Sequence, residues 1–320
     1  MEKELVKEYS EKIDNLRQEI KKIVVGQDLL VRDLLITLFC KGHILIEGVP
    51  GLAKTLTISS LAKSIDLDFS RLQFTPDLLP SDLIGARVYT PETKEFYVKT
   101  GPVVSNFVLA DEINRAPSKV QSALLEAMAE RQITIADKTI KLDEPFIVLA
   151  TQNPIEQDGT YSLPEAQLDR FLFKTIVNYP SEQEEIEIMK NNTLNLDLSS
   201  VKKVLGKKDI LKIQEIVGEI YVDQNIFEYI KDIVFYTRDN KNDVGKYLFY
   251  GASPRASISL LIAAKALAFL SGRDFVIPED VKEISKQVLR HRLIMNYEAI
   301  AENIGVDDLI DTILNKVKVK

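Results

Sequence analysis

An α/β domain built on a parallel sheet with helices on both faces, followed by a smaller all-helical domain, is the architecture this sequence predicts. Three observations carry that expectation. The apolar stretch His43-Ile44-Leu45-Ile46-Glu47 runs into the turn Gly48-Val49-Pro50-Gly51-Leu52-Ala53-Lys54-Thr55, and Leu56, Ile58, Leu61, Ala62 and Ile65 follow at helical spacing. Up to residue 180, short apolar runs alternate with helical patterns, which implies parallel strands joined by crossover helices. Beyond Pro180 the periodicity is helical throughout.

The elements follow in order. Leu5, Tyr9, Ile13, Leu16, Ile20 and Ile23 step by threes and fours, predicting one helix up to Val24-Val25-Gly26-Gln27. A second helix is expected over 28–41, with Gly42 ending it. After the Gly-bearing turn and its helix come a strand near 69–74 and a long insertion over 76–102. Strands are then expected at 106–110, 146–150 and 171–177. Pro117 opens a helix with Val120, Leu124 and Met128 on one face, since its missing N–H would have no partner there anyway. Ile133, Ile135, Ile140 and Leu142 alternate about Asp137-Lys138, which predicts a β-hairpin over 131–144. Pro164-Glu165-Ala166-Gln167-Leu168-Asp169-Arg170 reads as a short helix closed by Arg170. Ser181 and Glu184 form a capping box, and the polar stretch 191–200 reads as a linker. Helices are expected at 210–220, 225–237, 254–270, 278–289 and 306–316. The domain boundaries implied are 1–190 for the α/β core, 191–206 for the linker and 207–320 for the helical domain.

The Gly48–Thr55 turn has the order a phosphate-binding loop requires: strand, glycine-bearing loop, Lys-Thr, helix. Backbone N–H groups and the positive end of the new helix would cradle phosphate, Lys54 would neutralise the β and γ oxygens, and the Thr55 hydroxyl would ligate Mg²⁺. Ala53 stands where the generic pattern has glycine, at a cost if the turn needs positive φ. An apolar strand ending in Asp111-Glu112 fits the second half of such a site. Asp111 would hold Mg²⁺ through water, and Glu112 would polarise the attacking water. Asn153, at the end of the strand over 146–150, could orient that water or sense the γ-phosphate; a turn residue before Pro154 is the plainer alternative. Arg170 is either a charge at a helix C-terminus or an arginine finger offered to a neighbouring subunit. Arg255, after the N-cap Ser253 and Pro254, sits at the positive end of its own helix, a place more easily explained by a phosphate than by stability.

With these residues in view, the sequence resembles an AAA+ P-loop ATPase, and most closely the MoxR family of the helix-2-insert group. The resemblance spans nearly the whole chain. It rests on Gly48–Thr55 including its alanine, on Asp111-Glu112-Ile113-Asn114-Arg115-Ala116, on Phe74-Thr75-Pro76-Asp77-Leu78-Leu79-Pro80-Ser81-Asp82 and on the run from Leu163 to Phe171. It implies that Gly26 and Gln27 lie near adenine, that Gly48, Val49, Pro50, Gly51, Leu52, Ala53, Lys54, Thr55 and Leu56 hold the nucleotide, and that Thr55 and Asp111 serve the metal. Glu112, Asn153, Arg170 and Arg255 would then be the catalytic set, the last three as first sensor, arginine finger and second sensor. The segment 82–101 would be the helix-2 insert and 131–144 the pre-sensor-1 hairpin, both facing the channel of a ring. The cofactors implied are ATP and Mg²⁺. The assembly implied is a homo-oligomeric ring, a hexamer, working beside a von Willebrand factor A domain protein and maturing a protein client the sequence does not name. A DNA-acting AAA+ motor, a magnesium-chelatase-like subunit and a nucleotide-gated scaffold remain alternatives.

Bulk properties narrow the rest. At 320 residues with 45% hydrophobic content, two domains can be filled. The net charge of −7 argues against broad binding to nucleic acid or anionic membrane. One cysteine, Cys40, sits in an apolar run and reads as a core thiol, which suits a reducing cytoplasm. Met1-Glu2-Lys3-Glu4 opens a charged helix rather than a signal peptide, and no apolar run approaches the ~20 residues that span a bilayer. With two histidines and one cysteine, neither a metal-ligand cluster nor a Cys-His or Ser-His nucleophile is expected.

Overall fold

The computed structural model describes residues 2–154, 160–193 and 198–319. The chain forms two compact units, one of residues 14–171 with 175–211, the other of 1–13, 172–174 and 212–320. No described helix is long and apolar enough to cross a membrane.

The α/β unit starts in α1 (Glu2–Lys21) and continues through α2 (Asp28–Phe39), β1 (Ile44–Glu47), α3 (Lys54–Ser64), β2 (Ile65–Asp66) and β3 (Phe69–Gln73). The insertion is α4 (Pro80–Ile84) with the antiparallel pair β4 (Gly85–Thr90) and β5 (Glu95–Thr100). Then come β6 (Phe107–Asp111), α5 (Ser118–Glu130), the hairpin β7 (Gln132–Ile135) and β8 (Lys138–Lys141), β9 (Ile147–Gln152), α6 (Glu165–Leu168), β10 (Phe173–Ile176) and α7 (Glu182–Thr193). The central sheet has the order β10-β1-β9-β6-β3, and its pairings β1–β9, β9–β6 and β6–β3 are parallel. Phe107–Ala110 and Ile147–Ala150 are buried along their whole length, which is why they read as unbroken apolar runs and not as alternating ones. Register places Glu47 opposite Gln152, Ala110 opposite Ala150 and Gln73 opposite Asp111. The C-terminal ends of four strands therefore meet along one sheet edge, where open α/β sheets bind ligands.

Several boundaries differ from the sequence expectation for local reasons. Helix α2 ends at Phe39, because Lys41 turns left-handed (φ 53°) and the Gly42 N–H bonds the Thr37 carbonyl at 2.9 Å. Cys40 is only partly buried. Pro117 is the extended N-cap of α5 rather than a residue of its first turn. The hairpin turns at Ala136-Asp137, with Ala136 at φ 56°, one residue before the expected place. Helix α6 stops at Leu168, so Arg170 lies beyond it and does not close it. The 191–206 stretch is more than a connector: α7 reaches Thr193, and β11 (Leu205–Gly206) pairs with β2. Residues 194–197 of that expected linker lie outside the described residues.

The second unit is mainly helical. It comprises α8 (Lys207–Glu219), most of which belongs here, with α9 (Gln224–Tyr236), α10 (Pro254–Leu270), α11 (Pro278–Leu289), α12 (Tyr297–Ala301) and α13 (Val306–Lys316). Its core forms where Ala256, Leu260, Ala263 and Leu267 of α10 are buried with Val281, Ile284 and Val288 of α11. A short ribbon of β12 (Leu248–Tyr250) and β13 (Ile294–Met295), absent from the all-helical expectation, joins it. Its strands are too short for alternation to register.

Candidate nucleotide site

The loop between β1 and α3 is shaped by backbone requirements. Gly51 and Ala53 both take left-handed conformations, at φ 85° and φ 53°, so Ala53 holds a geometry that favours glycine. The Ala53 carbonyl accepts from both the N–H and the hydroxyl of Thr57, at 2.8 and 2.9 Å, which fixes the first turn of α3. A Cβ at Gly48 would lie 2.9 Å from the Val177 carbonyl oxygen, so no larger residue fits without movement. The Lys54 ammonium donates to the Gly48 carbonyl, across the mouth of the loop. Partial burial lowers its pKa, against the opposing pull of Asp111, Glu112 and Glu47.

Beside this loop stand the two acids. Asp111 ends β6, and Glu112 leaves the strand left-handed at φ 55°, a strained geometry for a non-glycine residue. Four further side chains hold the pair. Thr151 donates its hydroxyl to Asp111 Oδ1 at 2.5 Å and accepts the Glu112 N–H at 2.9 Å. Arg71 donates from Nη2 and Nε to Asp111 Oδ2, at 2.7 and 3.2 Å. Gln73 donates to Glu112 Oε2 at 2.8 Å, and Arg115 pairs with the same oxygen at 3.2 Å.

The loop from Pro50 to Leu56, together with Asp111, Glu112 and Asn153, lines one cavity of about 380 Å³. Arg71, Gln73 and Thr151 line it too, and none of these was picked out from the sequence. The visible signal would have been the polar alternation of Arg71 and Gln73 in a strand that neighbours an acid-ended one. A second cavity of about 410 Å³ shares Gly51, Leu52, Ala53 and Leu56 with the first. Its other walls are Ile23, Val24, Val25 and Gln27 from the α1–α2 turn, and Pro180, Ile188 and Asn191 around α7. Mostly apolar, with the amides of Gln27 and Asn191 among its walls, it has the chemistry of a purine slot. Gly26, at φ 72°, makes the turn beside it, packed so closely on the Glu184 carboxylate that an added Cβ would come within 2.8 Å of Glu184 Cδ.

Thr55 and Asp111 offer hydroxyl and carboxylate oxygen to the same cavity, the hard donors that Mg²⁺ takes. Among the described residues no three His, Cys, Asp or Glu side chains gather to hold a metal unaided, so the remaining donors would be phosphate and water. Arg170 is not part of the cavity lining; it is exposed and donates to the Leu125 carbonyl of α5 at 2.8 Å. Arg255 belongs to the helical unit, where its N–H caps onto the Ser253 hydroxyl at 3.2 Å in the first turn of α10. His43 is structural. It is buried, with Nδ1 accepting the Val148 N–H at 3.0 Å and Nε2 3.3 Å from the Met128 carbonyl.

A phosphate loop after β1, an acid pair at the end of β6 two places along the sheet, and an apolar cavity adjoining the loop define a P-loop ATPase with a helical second domain. Comparison with known proteins agrees. Residues 43–173 match the ATPase family associated with various cellular activities (AAA), and residues 241–313 match the AAA lid domain. The chaperone MoxR1 of Mycobacterium tuberculosis is 50% identical over 303 residues, covering 93% of this chain and 80% of that protein. The protein MoxR of Paracoccus denitrificans is 30% identical over 311 residues, covering 90% of this chain and 91% of its own. A crystal structure of a candidate ATPase from Cytophaga hutchinsonii superimposes with a TM-score of 0.92 at 50% identity, over 99% of this chain and 97% of the other. The chain belongs to the MoxR family of AAA ATPases, and its reaction is the hydrolysis of ATP.

Proposed function

We propose that this ATPase works as a ring, a hexamer in the cytoplasm, that spends ATP to remodel or mature a partner protein complex. The observation that carries the reading is the position of Arg170. It is exposed, tethered to the Leu125 carbonyl, and outside the cavity that collects the loop and the acids of its own subunit. A guanidinium so placed serves a nucleotide only if that nucleotide belongs to a neighbour.

Within one subunit the roles divide by chemistry. The backbone N–H groups of residues 48–56, Pro50 excepted, and the start of α3 cradle phosphate, and Lys54 leaves the Gly48 carbonyl for the β and γ oxygens. Gly26 and Gln27 border the base. The Thr55 hydroxyl and, through water, the Asp111 carboxylate would hold Mg²⁺, which would supply charge neutralisation at the phosphates. Glu112 takes the proton of the attacking water, which Asn153 orients. Arg170 of one subunit neutralises charge on its neighbour's γ-phosphate, and Arg255 takes the second-sensor role that the family resemblance implies.

The partner-facing surface is read from the two hairpins. Arg87 on β4 reaches Asp137 on the β7–β8 turn at 4.0 Å, and stacks over Phe96 at 4.7 Å. Tyr89, Phe96 and Tyr97 are about half exposed, an aromatic patch that suits protein contact. A von Willebrand factor A domain protein is the partner class that the family resemblance implies, with the client still to be identified. The test of the ring is a mixing experiment. Arg170→Ala should bind ATP nearly normally and hydrolyse it poorly, and Lys54→Ala should not bind it. Mixed rings pair an intact Lys54 site with a neighbour's intact Arg170, so some turnover should return. Full turnover by Arg170→Ala alone, or no rescue in rings proven to be mixed, would overturn the reading.

A further inference from the structure

We infer that Arg71 is a nucleotide-binding residue of this site, a cation that neutralises Asp111 when no nucleotide is bound and passes to the terminal phosphate of ATP when metal takes its place on that carboxylate. The inference rests on the reading of Asp111 as the carboxylate that serves Mg²⁺.

The ion pair is specific in its atoms. Both guanidinium donors converge on one carboxylate oxygen, Oδ2, while Oδ1 is occupied by the Thr151 hydroxyl. The carboxylate that should receive a cation from solution therefore already holds one. The two partners also differ in freedom. Asp111 sits at the end of a fully buried strand with its side chain 12% exposed, whereas the Arg71 side chain is 51% exposed. An arginine at that exposure loses little on changing partners, while the aspartate stays in place. Charge completes the case. Among the described residues the cavity is lined by two cations, Lys54 and Arg71, and two anions, Asp111 and Glu112, whose charges balance. Triphosphate disturbs that balance more than diphosphate does. If Arg71 stayed on Asp111, Lys54 would be the one lining cation left for the phosphates. Once displaced, the guanidinium is free for the γ-phosphate, its preferred kind of bidentate partner.

The consequence is selectivity for ATP over ADP. With ADP, metal binding breaks the Arg71–Asp111 pair and no γ-phosphate receives the released guanidinium. With ATP the same loss is compensated. Removal of the arginine should thus weaken ATP binding and relieve ADP binding, and the ratio of the two affinities is the sensitive readout.

The experiment measures dissociation constants for fluorescent derivatives of ADP and of a non-hydrolysable ATP analogue, with Mg²⁺ and with chelator. It compares the unaltered protein with Arg71→Ala, Arg71→Gln, Arg71→Lys and Asp111→Asn. The ATP-to-ADP preference should fall about tenfold in Arg71→Ala and Arg71→Gln, the worth of one charge-assisted hydrogen bond, and be partly kept in Arg71→Lys. Arg71→Gln retains length and hydrogen bonding, so a loss there cannot be put down to a cavity. Asp111→Asn should lose the Mg²⁺ dependence of binding. An unchanged preference in both charge-removing variants, with Mg²⁺ dependence lost in Asp111→Asn, overturns the role of Arg71 alone. Mg²⁺ dependence kept in Asp111→Asn overturns the metal reading, and this inference with it.

Discussion

Replacing Thr151 by valine tests how the acid pair is held. The substitution keeps the branched shape and deletes one oxygen, and that oxygen makes two bonds. It donates to the Asp111 carboxylate at 2.5 Å and accepts the N–H of left-handed Glu112 at 2.9 Å. Thr151 is 2% exposed, so water cannot simply replace it. A hydrogen bond to a charged group contributes about 1.5–3 kcal/mol and a neutral one about 1 kcal/mol, with unpaired partners left behind in both cases. The expected loss is therefore roughly 2–4 kcal/mol. For a unit of this size each kcal/mol lowers the midpoint by about 2–4 °C, so the nucleotide-free protein should melt roughly 5–15 °C lower. Thr151→Ser keeps the oxygen and should recover most of this. Turnover should fall in the valine variant more than nucleotide binding does, because Glu112 loses the contact that stabilises its strained backbone. Thermal and denaturant unfolding beside a phosphate-release assay give both readouts. A valine variant within about 0.5 kcal/mol of the parent, the ordinary scatter for substitutions that touch nothing, and with unchanged turnover would refute the reasoning.

Ala53→Gly should stabilise the nucleotide-free protein by about 0.5–1 kcal/mol, since glycine takes φ 53° without the Cβ penalty; a lower unfolding free energy in urea would contradict it. His43 gives a pH signature. Burial, with Arg131 nearby, pushes its imidazole pKa from 6.5 down to about 3. Between those values the unfolded chain binds a proton that the folded chain refuses. Stability is thus complete above pH 6.5 and falls as pH drops through this window, by up to about 1.4 kcal/mol per unit. Denaturation from pH 7 to pH 4 should show a shallower slope in His43→Gln; an identical slope in both proteins would assign the dependence to other groups.

Much of the fold was legible because its signals are local. Helices α10, α11 and α13 begin and end where the sequence predicts, as Ser253-Pro254 and Pro278 mark their starts. The phosphate loop was legible for the same reason, since eight consecutive residues contain it. Element ends were read less well where a residue other than glycine goes left-handed, as Lys41 does after α2 and Ala136 in the hairpin turn. What stayed hidden depends on register. Arg71 and Thr151 stand 40 residues to either side of Asp111, and only the pairing of β3, β6 and β9 brings the three together. The walls of the second, apolar cavity are hidden likewise, because Pro180 and Ile188 meet Val24 and Leu52 only when α7 folds back on the loop.

Glu112→Gln tests the central claim most directly. The exchange keeps size and hydrogen-bonding capacity but removes the negative charge that draws a proton from water. Nucleotide titration and phosphate release are measured on the same preparation. The account predicts ATP affinity within a few-fold of the parent and turnover reduced by roughly 10²-fold or more. Undiminished turnover at normal affinity would contradict it and place the water-activating group elsewhere.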